Sequence, residues 1–172
     1  MNAPAPDFTL RDLSGAAHRL SQHRGKIVIL NFWSAECPWS RRGDAILAER
    51  LAGWASQGVR VWGIASNASE PESKVRAEIE ERQVPYPILL DPGNVVADLY
   101  GAAATPHFFV VDAEGVVRYA GALDDARFRS RQPKAFYLAD AIAAVLAGRP
   151  PKPAETQAYG CAIIRATPSA LP

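Results

Sequence analysis

The sequence is poor in cysteine, and this scarcity limits the kinds of site that it can build. Its 172 residues include only two cysteines, Cys37 and Cys161, and three histidines. Two thiols are too few for a disulfide-stapled scaffold or for a thiolate-rich zinc or iron–sulfur site, and the histidines are scattered. We therefore expect no metal site and no cofactor. One redox-active pair of cysteines stays possible.

An excess of charge of one sign and a long apolar run are also lacking. Nineteen basic and eighteen acidic residues give a formal net charge of +1, which disfavours a nucleic-acid or membrane surface. No apolar run approaches the roughly 20 residues of a membrane-spanning helix, and the first residues lack the pattern of a signal peptide. We expect a cytoplasmic protein, or a periplasmic one if a signal peptide was removed, with small-molecule or protein substrates.

The apolar pattern predicts a single α/β domain followed by a tail. Hydrophobic residues make up 48% of the chain, which suffices for one core. The run KIVILNFW, residues 26–33, is typical of a strand covered on both faces. From residue 149 the chain is rich in proline, which favours an extended path. We therefore predict a domain over residues 1–148 and a tail over residues 149–172 that carries Cys161.

The predicted elements alternate along the chain. We expect an N-terminal hairpin over 8–10 and 17–20, strands over 26–33, 59–66 and 86–90, a strand pair around 113–115, and helices over 40–56, 69–83, 94–100 and 136–146. This order predicts a mixed β-sheet that is flanked by helices on both faces and extended by the N-terminal hairpin. The predicted helix over residues 69–83 is rich in charged side chains, which we interpret as a face exposed to solvent.

Cys37 lies where a buried strand gives way to a helix, in NFWSAECPWSRR. Pro38 suits the first helical position, so the sulfur is expected at a helix N-terminus, where unpaired N–H groups favour a thiolate. Arg41 and Arg42 would add to this effect, while Glu36 would oppose it. We predict a net lowered pKa. The alternative is that the cysteine is a small apolar filler of the core.

Four segments resemble the thioredoxin-like redoxins, the group that includes alkyl hydroperoxide reductase and thiol-specific antioxidant proteins. They are DFTLRDLSG, VILNFWSAECPWS, ATPHFFVVDAEGVVRYAG and the closing helix. The resemblance implies a thioredoxin-like fold in which Cys37 is the nucleophile. It also implies that Pro106 is the cis-proline beside the sulfur, and that its neighbour Thr105 pairs with a bound polypeptide. Local sequence alone favours a trans bond at that proline.

The sequence departs from the dithiol thioredoxin pattern at Ser40, which stands where the second cysteine of a Cys-x-x-Cys pair would be. Its hydroxyl could donate to the Cys37 thiolate, or it could only cap the helix or face water. The tail segment ETQAYGCAIIR is similar to the Gly-Cys-x-Ile ending of a subgroup of these redoxins. Cys161 could therefore act as a displaced resolving thiol, or it could only help to dock the tail.

Three functions follow from this resemblance. The first is a thiol–disulfide oxidoreductase in which Cys161 or an external thiol resolves Cys37, and Trp39, Thr105 and Arg41 contact the substrate. The alternative is a thiol peroxidase that reduces hydroperoxides. Third comes a non-catalytic or iron–sulfur-binding monothiol module. The expected partners are a protein disulfide or a hydroperoxide and a thioredoxin- or glutathione-like reductant. The residue after Pro106, His107, is either a proton donor or an ordinary packed side chain.

Overall fold

The structure is a computed structural model that describes residues 2–167. Within that range the chain forms ten strands and four α-helices. The strands are β1 (Ala3–Pro4), β2 (Thr9–Asp12), β3 (Ala17–Arg19), β4 (Ile27–Trp33), β5 (Val59–Ala65), β6 (Ile88–Leu90), β7 (Ala104–Thr105), β8 (His107–Val111), β9 (Val116–Gly121) and β10 (Cys161–Ala162). The helices are α1 (Pro38–Ser56), α2 (Glu72–Arg82), α3 (Val95–Tyr100) and α4 (Tyr137–Leu146).

Eight of these strands form one mixed sheet in the order β1-β9-β8-β4-β5-β6-β2-β3. Strands β4, β5 and β6 are parallel, whereas β8 and β9 on one side and β2 and β3 on the other are antiparallel. All seven residues of β4 are buried, because both of its faces are covered. The predicted mixed sheet and N-terminal hairpin are confirmed, and β1 adds an edge strand that we did not predict.

The two faces of β4 build two separate cores. Ile29 and Trp33 point into a core completed by α1 and α4, whereas Leu30 and Phe32 point into a core completed by α3. This division follows from strand geometry, because successive side chains point to opposite faces of a sheet. The carboxyl end of β4 is thereby held rigidly between two layers, and the cysteine turn begins there.

The second helix begins later than the sequence indicated. We expected it to be capped near Ser69, but α2 begins at Glu72 with Pro71 in the N-cap position. Pro71 has an extended backbone that ends the preceding loop and cannot donate a hydrogen bond. The residues before it are therefore free to form a loop at the carboxyl end of β5. That loop contains Glu70, whose side chain is buried.

The tail crosses the sheet and returns to the cysteine turn. The backbone N–H of Thr156 donates to the carbonyl oxygen of Ala120 over 3.0 Å, and β10 then pairs with β7 in antiparallel fashion. Ile163 is buried in the core on the α3 side. The extended path agrees with the proline-rich composition, while the domain boundary at residue 148 stays a prediction. Met1 and the last five residues of the tail lie outside the described residues. Within 2–167, no helix has both the length and the apolarity to span a bilayer.

Candidate active site

Cys37 stands between β4 and α1, at the N-cap position of the helix. Its backbone is extended, and Pro38 takes the first helical position as expected. The residue is only 1% exposed. In the thiol form its Sγ donates to the carbonyl oxygen of Thr105 over 3.0 Å. Local sequence thus places the sulfur at a helix N-terminus, and a long-range contact directs it toward the β7 segment.

Burial raises the pKa of the Cys37 thiol, but hydrogen bonds to the sulfur outweigh burial and leave the pKa below its ordinary value. The donors are the Cys161 thiol, the backbone N–H groups of Ser40 and Cys161, and the Thr105 side chain. Each of these bonds favours the thiolate, because a hydrogen bond to the charged form of an acid stabilises that form. The direction agrees with the sequence prediction, although most of the donors come from distant parts of the chain.

The second thiol lies against the first. Strand β10 places Cys161 directly opposite Thr105, and the two thiols are within hydrogen-bonding contact. Burial, followed by the hydrogen bond to Cys37, the negative charge of Cys37 and the Glu70 carboxylate, together raise the pKa of Cys161 to about 12. Both cysteines are free in this structure. The site therefore holds two thiols of different acidity side by side, and Cys37 loses its proton more readily than Cys161.

The peptide bond between Thr105 and Pro106 is cis. This is the isomer that the family resemblance implied and the one that local sequence disfavours. Both residues are buried, and the Thr105 carbonyl oxygen faces the Cys37 sulfur. The cis-proline segment therefore forms one wall of the site.

Two glycines allow the tail to lie so close to the sheet and to this wall. A Cβ atom on Gly160 would sit 1.9 Å from the carbonyl oxygen of Thr105, and one on Gly121 would sit 2.1 Å from Oγ1 of Thr156. Real Cβ atoms do not approach heavy atoms within 3.0 Å. The close contact of the tail therefore depends on the absence of a side chain at both positions.

Ser40 contributes to the site in a way that neither sequence alternative described. Its hydroxyl is fully buried and accepts a hydrogen bond of 3.2 Å from the backbone N–H of Ser34. It is the backbone N–H of Ser40 that donates to the sulfur of Cys37. The serine side chain thus closes the turn from within, and its main chain stabilises the thiolate.

The two arginines that follow do not serve the sulfur as expected. The Arg41 guanidinium lies 3.0 Å from the carboxylates of Glu78 and Glu81 on α2, and Arg42 lies 2.6 Å from Asp124. Their positive charges are therefore balanced by these carboxylates. We expected both arginines to stabilise the thiolate, but their side chains pair with carboxylates, and the hydrogen bonds described above act on the sulfur. Contact of Arg41 with substrate stays a prediction.

Trp39 is half-buried, because the tail covers part of it. The Tyr159 ring meets the Trp39 ring edge to face, with centroids 4.9 Å apart. The Arg127 guanidinium lies over the Tyr159 ring, 4.5 Å from its centroid. We expected Trp39 to contact the substrate. In this structure the Trp39 ring is in contact with the tail, and its contact with substrate stays a prediction.

The sequence analysis missed Glu70, which we had assigned to a solvated helix face. Its carboxylate is buried and accepts hydrogen bonds from the Ser34 hydroxyl and from the backbone N–H groups of Ala35 and Glu36. The Ser34 hydroxyl oxygen in turn accepts from the N–H of Cys37 over 3.1 Å. One signal was present, since Glu70 follows the carboxyl end of a buried strand, where functional groups of open α/β sheets gather.

His107 packs within the site wall. Its ring lies 4.5 Å from that of Phe109, and its Nδ1 atom is buried without a hydrogen-bond partner among the described residues. Burial lowers the pKa of His107 to about 4, so the imidazole is uncharged at neutral pH. Of the two sequence alternatives, the geometry favours a packed side chain.

Known proteins share both the fold and the sequence pattern. The model of the AhpC/TSA family matches residues 1–120. The thiol-disulfide oxidoreductase ResA of Geobacillus thermodenitrificans is 36% identical over 118 residues, which are 69% of this chain and 67% of that protein. The thioredoxin domain of a Bacteroides vulgatus thiol-disulfide oxidoreductase matches with a TM-score of 0.63 at 26% identity, over 75% of this chain and 90% of that one.

A third match extends into the tail. A hypothetical protein from Sinorhizobium meliloti superposes with a TM-score of 0.88 at 31% identity, over 97% of this chain and 95% of its own. Because residues 149–172 are more than a tenth of the chain, this match must include most of the tail.

The mixed sheet, the cysteine at the start of α1 and the cis-proline beside it define a thioredoxin-like redoxin. This is the class that the resemblance indicated. Since the family model covers more than half of the chain, the protein belongs to the AhpC/TSA family.

Proposed function

We propose that Cys37 is the nucleophile and Cys161 the resolving thiol of this protein, which is a thiol–disulfide oxidoreductase of the redoxin type. One observation carries the proposal: the tail places the second thiol against the buried sulfur of Cys37, with the pKa of Cys37 lowered and that of Cys161 raised. A more acidic and a less acidic thiol side by side suit thiol–disulfide exchange. The more acidic thiol attacks the substrate first as a thiolate, and the other stays protonated until the second step.

In the first step the Cys37 thiolate attacks one sulfur of a substrate disulfide. A bond forms between Cys37 and that sulfur, the substrate disulfide breaks, and the other substrate sulfur leaves as a thiolate that takes up a proton. The four hydrogen-bond donors around Cys37 favour its thiolate form before the attack. Its charge is lost when the mixed disulfide forms.

In the second step Cys161 loses its proton and attacks the Cys37 sulfur of the mixed disulfide. The substrate leaves as a thiol, and a Cys37–Cys161 disulfide remains on the protein. Two of the influences that raise the Cys161 pKa, the hydrogen bond to the Cys37 thiolate and its charge, are absent in the mixed disulfide. Cys161 therefore becomes easier to deprotonate at the stage where its thiolate is required.

Access to the nucleophile requires the tail to move. Cys37 is 1% exposed, and β10 occupies the edge of β7 directly beside the sulfur. An extended polypeptide cannot pair with that edge while β10 is in place, because each edge of a strand pairs with one neighbour. We propose that the tail opens to admit the substrate and closes to deliver Cys161.

The partners are a protein substrate and a thiol-based reductant. The names of the thiol-disulfide oxidoreductase relatives support both at this level. The finer assignment, a thioredoxin- or glutathione-like donor that reduces the Cys37–Cys161 disulfide, is part of this proposal. Contact of Trp39 and Thr105 with the substrate belongs to the open state. A cytoplasmic location stays a prediction.

Peroxidase activity is the second candidate, because the same two thiols could reduce a hydroperoxide through a sulfenic acid on Cys37. Peroxiredoxins carry a threonine or serine three residues before the reactive cysteine, and Ser34 fits that position relative to Cys37. In the structure that hydroxyl donates to Glu70 over 2.5 Å and accepts from the backbone N–H of Cys37. The Ser34 hydroxyl thus forms hydrogen bonds within the cysteine turn, and its one proton is not free to donate to a peroxide.

The test uses the reduced protein and two oxidants. Equal samples receive one equivalent of oxidised glutathione or of hydrogen peroxide, are quenched with an alkylating agent at intervals, and are mapped by non-reducing peptide mass spectrometry. We expect rapid formation of a Cys37–Cys161 disulfide with the disulfide oxidant. A Cys161→Ser variant should stop at a mixed disulfide on Cys37. Two thiols that stay free with the disulfide oxidant would contradict the proposal, and fast peroxide consumption would place the peroxidase first.

A further inference from the structure

The loop between β5 and α2 contacts both the cysteine turn and the tail. Glu70 holds the turn through the Ser34 hydroxyl and through the N–H groups of Ala35 and Glu36, at 2.5, 2.8 and 3.1 Å. Within residues 2–167 no lysine, arginine or histidine nitrogen lies within 4.0 Å of this carboxylate. A buried carboxylate without a counter-ion depends on such hydrogen bonds, so the turn and the carboxylate hold each other in place.

Asn67, three residues earlier, extends the contact to the tail. Its Nδ2 group donates to Glu70 over 3.0 Å, and its Oδ1 atom accepts the backbone N–H of Ile164 over 2.7 Å. The N–H of Ala68 donates to the carbonyl oxygen of the same residue, Ile164, over 3.0 Å. Both backbone polar groups of Ile164 are therefore held by this short loop.

A continuous set of hydrogen bonds thus joins the two reacting segments. It runs from Ile164 on the tail to Asn67, from there to Glu70, and through Ser34 to the backbone N–H of Cys37. Cys161 is only three residues before Ile164. One loop therefore contacts the segments that carry both sulfurs, although these segments are far apart in the chain.

We propose that Asn67 and Glu70 are positioning residues that set the reach of Cys161 to Cys37. This inference rests on the proposed pairing of the two thiols. Holding two reactants in the right geometry raises their effective concentration by orders of magnitude, and misplacement by about 1 Å can remove much of the gain. The pairing of β10 with β7 and the contact of Tyr159 with Trp39 hold the tail beside the sulfur, and the contacts of Ile163 with Ala103 and of Arg165 with Asp98 attach it to the opposite core face. Of these contacts and the one through Asn67 and Glu70, only the last joins the tail to the backbone of the cysteine turn by a continuous set of side-chain hydrogen bonds.

Two substitutions separate this role from general stabilisation. Glu70→Gln preserves the shape of the side chain, but it replaces one accepting oxygen by an NH₂ group that faces backbone donors. Asn67→Ala removes the bridge to Ile164 and leaves the carboxylate. The matched control is Glu72→Gln, because Glu72 is an exposed carboxylate in the first turn of α2 that pairs only with Arg76 among the described residues.

The first readout is the equilibrium constant for forming the Cys37–Cys161 disulfide in glutathione redox buffers. We expect Glu70→Gln and Asn67→Ala each to lower it about tenfold, which is a rise of about 30 mV in reduction potential. Glu72→Gln should match the unsubstituted protein. A role in stability alone would lower the unfolding midpoint and leave this constant unchanged, and that result would overturn the inference.

The second readout is amide hydrogen exchange in the fully reduced protein, which does not require that the disulfide form. Glu70 does not touch Ile164, yet Glu70→Gln should lower the protection of the Ile164 amide about tenfold. The coupling should also act from the tail toward the cysteine turn, so Asn67→Ala should lower the protection of the Cys37 amide against exchange. If the protein forms no Cys37–Cys161 disulfide, the proposed function fails while this coupling is still decided. Exchange rates at both amides equal to those of the Glu72→Gln control would refute the coupling itself.

Discussion

Replacing Gly160 by alanine should separate the docking of the tail from the chemistry of the two thiols. The added Cβ would sit 1.9 Å from the Thr105 carbonyl oxygen, about 1.5 Å inside the 3.4 Å at which ordinary contact begins. The obstacle is backbone of the cis-proline wall, which is held between β4 and the tail. The tail must therefore move away from this backbone by a distance of this order.

Such a shift has two opposite consequences. Because misplacement of reacting groups by about 1 Å can cost roughly 100-fold in rate, formation of the Cys37–Cys161 disulfide should slow by about that factor. At the same time Cys37, which is 1% exposed in the closed form, should become more accessible to iodoacetamide. A single structural change thus lowers one rate and raises the other.

The assay compares Gly160→Ala with Gly53→Ala. Gly53 lies within α1, and a Cβ atom there would meet nothing within 4 Å. Both variants are reduced, mixed with oxidised glutathione or iodoacetamide, quenched at intervals and analysed by peptide mass spectrometry. If Gly160→Ala closed the disulfide as fast as the control, the seated tail would not be the conformation from which Cys161 reacts.

Three further predictions concern the thiols and a buried carboxylate. Cys161→Ser should accumulate a mixed disulfide on Cys37 with a protein disulfide substrate, visible as a mass increase, and turnover should then depend on added thiol. The alkylation rate of Cys37 in a Cys161→Ala variant, which has no side-chain donor at this position, and in the unsubstituted protein should rise with pH through the thiol pKa. The unsubstituted protein should reach half its plateau at the lower pH, because the Cys161 thiol lowers the Cys37 pKa. Coincident profiles would contradict this. Asp44→Ala should lower the free energy of unfolding by about 3–5 kcal/mol in urea titrations, since it leaves the buried Trp33 Nε1 and Tyr86 hydroxyl donors without their acceptor and removes one of the two carboxylates that pair with the buried Arg82. Glu81→Ala, at an exposed pair, should cost less than about 1 kcal/mol, and equal losses would refute the distinction.

The lowered pKa of Cys37 also has a consequence for stability. A thiol with a depressed pKa in the folded state binds its proton less tightly there than in the unfolded chain. Its stabilising contribution is therefore present above the unfolded pKa and is lost as the pH falls through the folded pKa. Cys161 has a raised pKa, so its contribution is present below the unfolded pKa and is lost as the pH rises toward about 12.

Several parts of the fold could be predicted because they follow from local patterns. The continuous apolar run of β4 requires cover on both faces, and Pro38 marks the first helical position after Cys37. Helix α2 was predicted too early because the charges before Glu72 continue the helical composition, while Pro71 ends the loop. Strand β1 has two exposed residues and no apolar pattern, so nothing in its own sequence indicated that it pairs with β9.

The site was predictable to a smaller extent. Cys37, Pro106 and Cys161 were identified from motifs and family resemblance, and the structure brings all three segments together. Glu70 was missed because a carboxylate in a charge-rich stretch has no local mark of burial. Arg41 was placed near the sulfur because it is close in sequence, yet its side chain points to the carboxylates of α2.

By itself, the sequence determined that this protein is a thioredoxin-like redoxin. The features that indicated this class are two thiols, a cysteine at a strand-to-helix junction and a tail that carries the second thiol. These features depend on residue type and short-range spacing, which the chain states directly. Only the tertiary structure decided which groups act on the sulfur. The Cys161 and Thr105 side chains donate to the Cys37 sulfur, whereas the adjacent arginines pair with carboxylates. A hydrogen bond requires contact within a few ångströms. Contacts between residues so far apart in the chain exist only once the sheet and the tail are assembled.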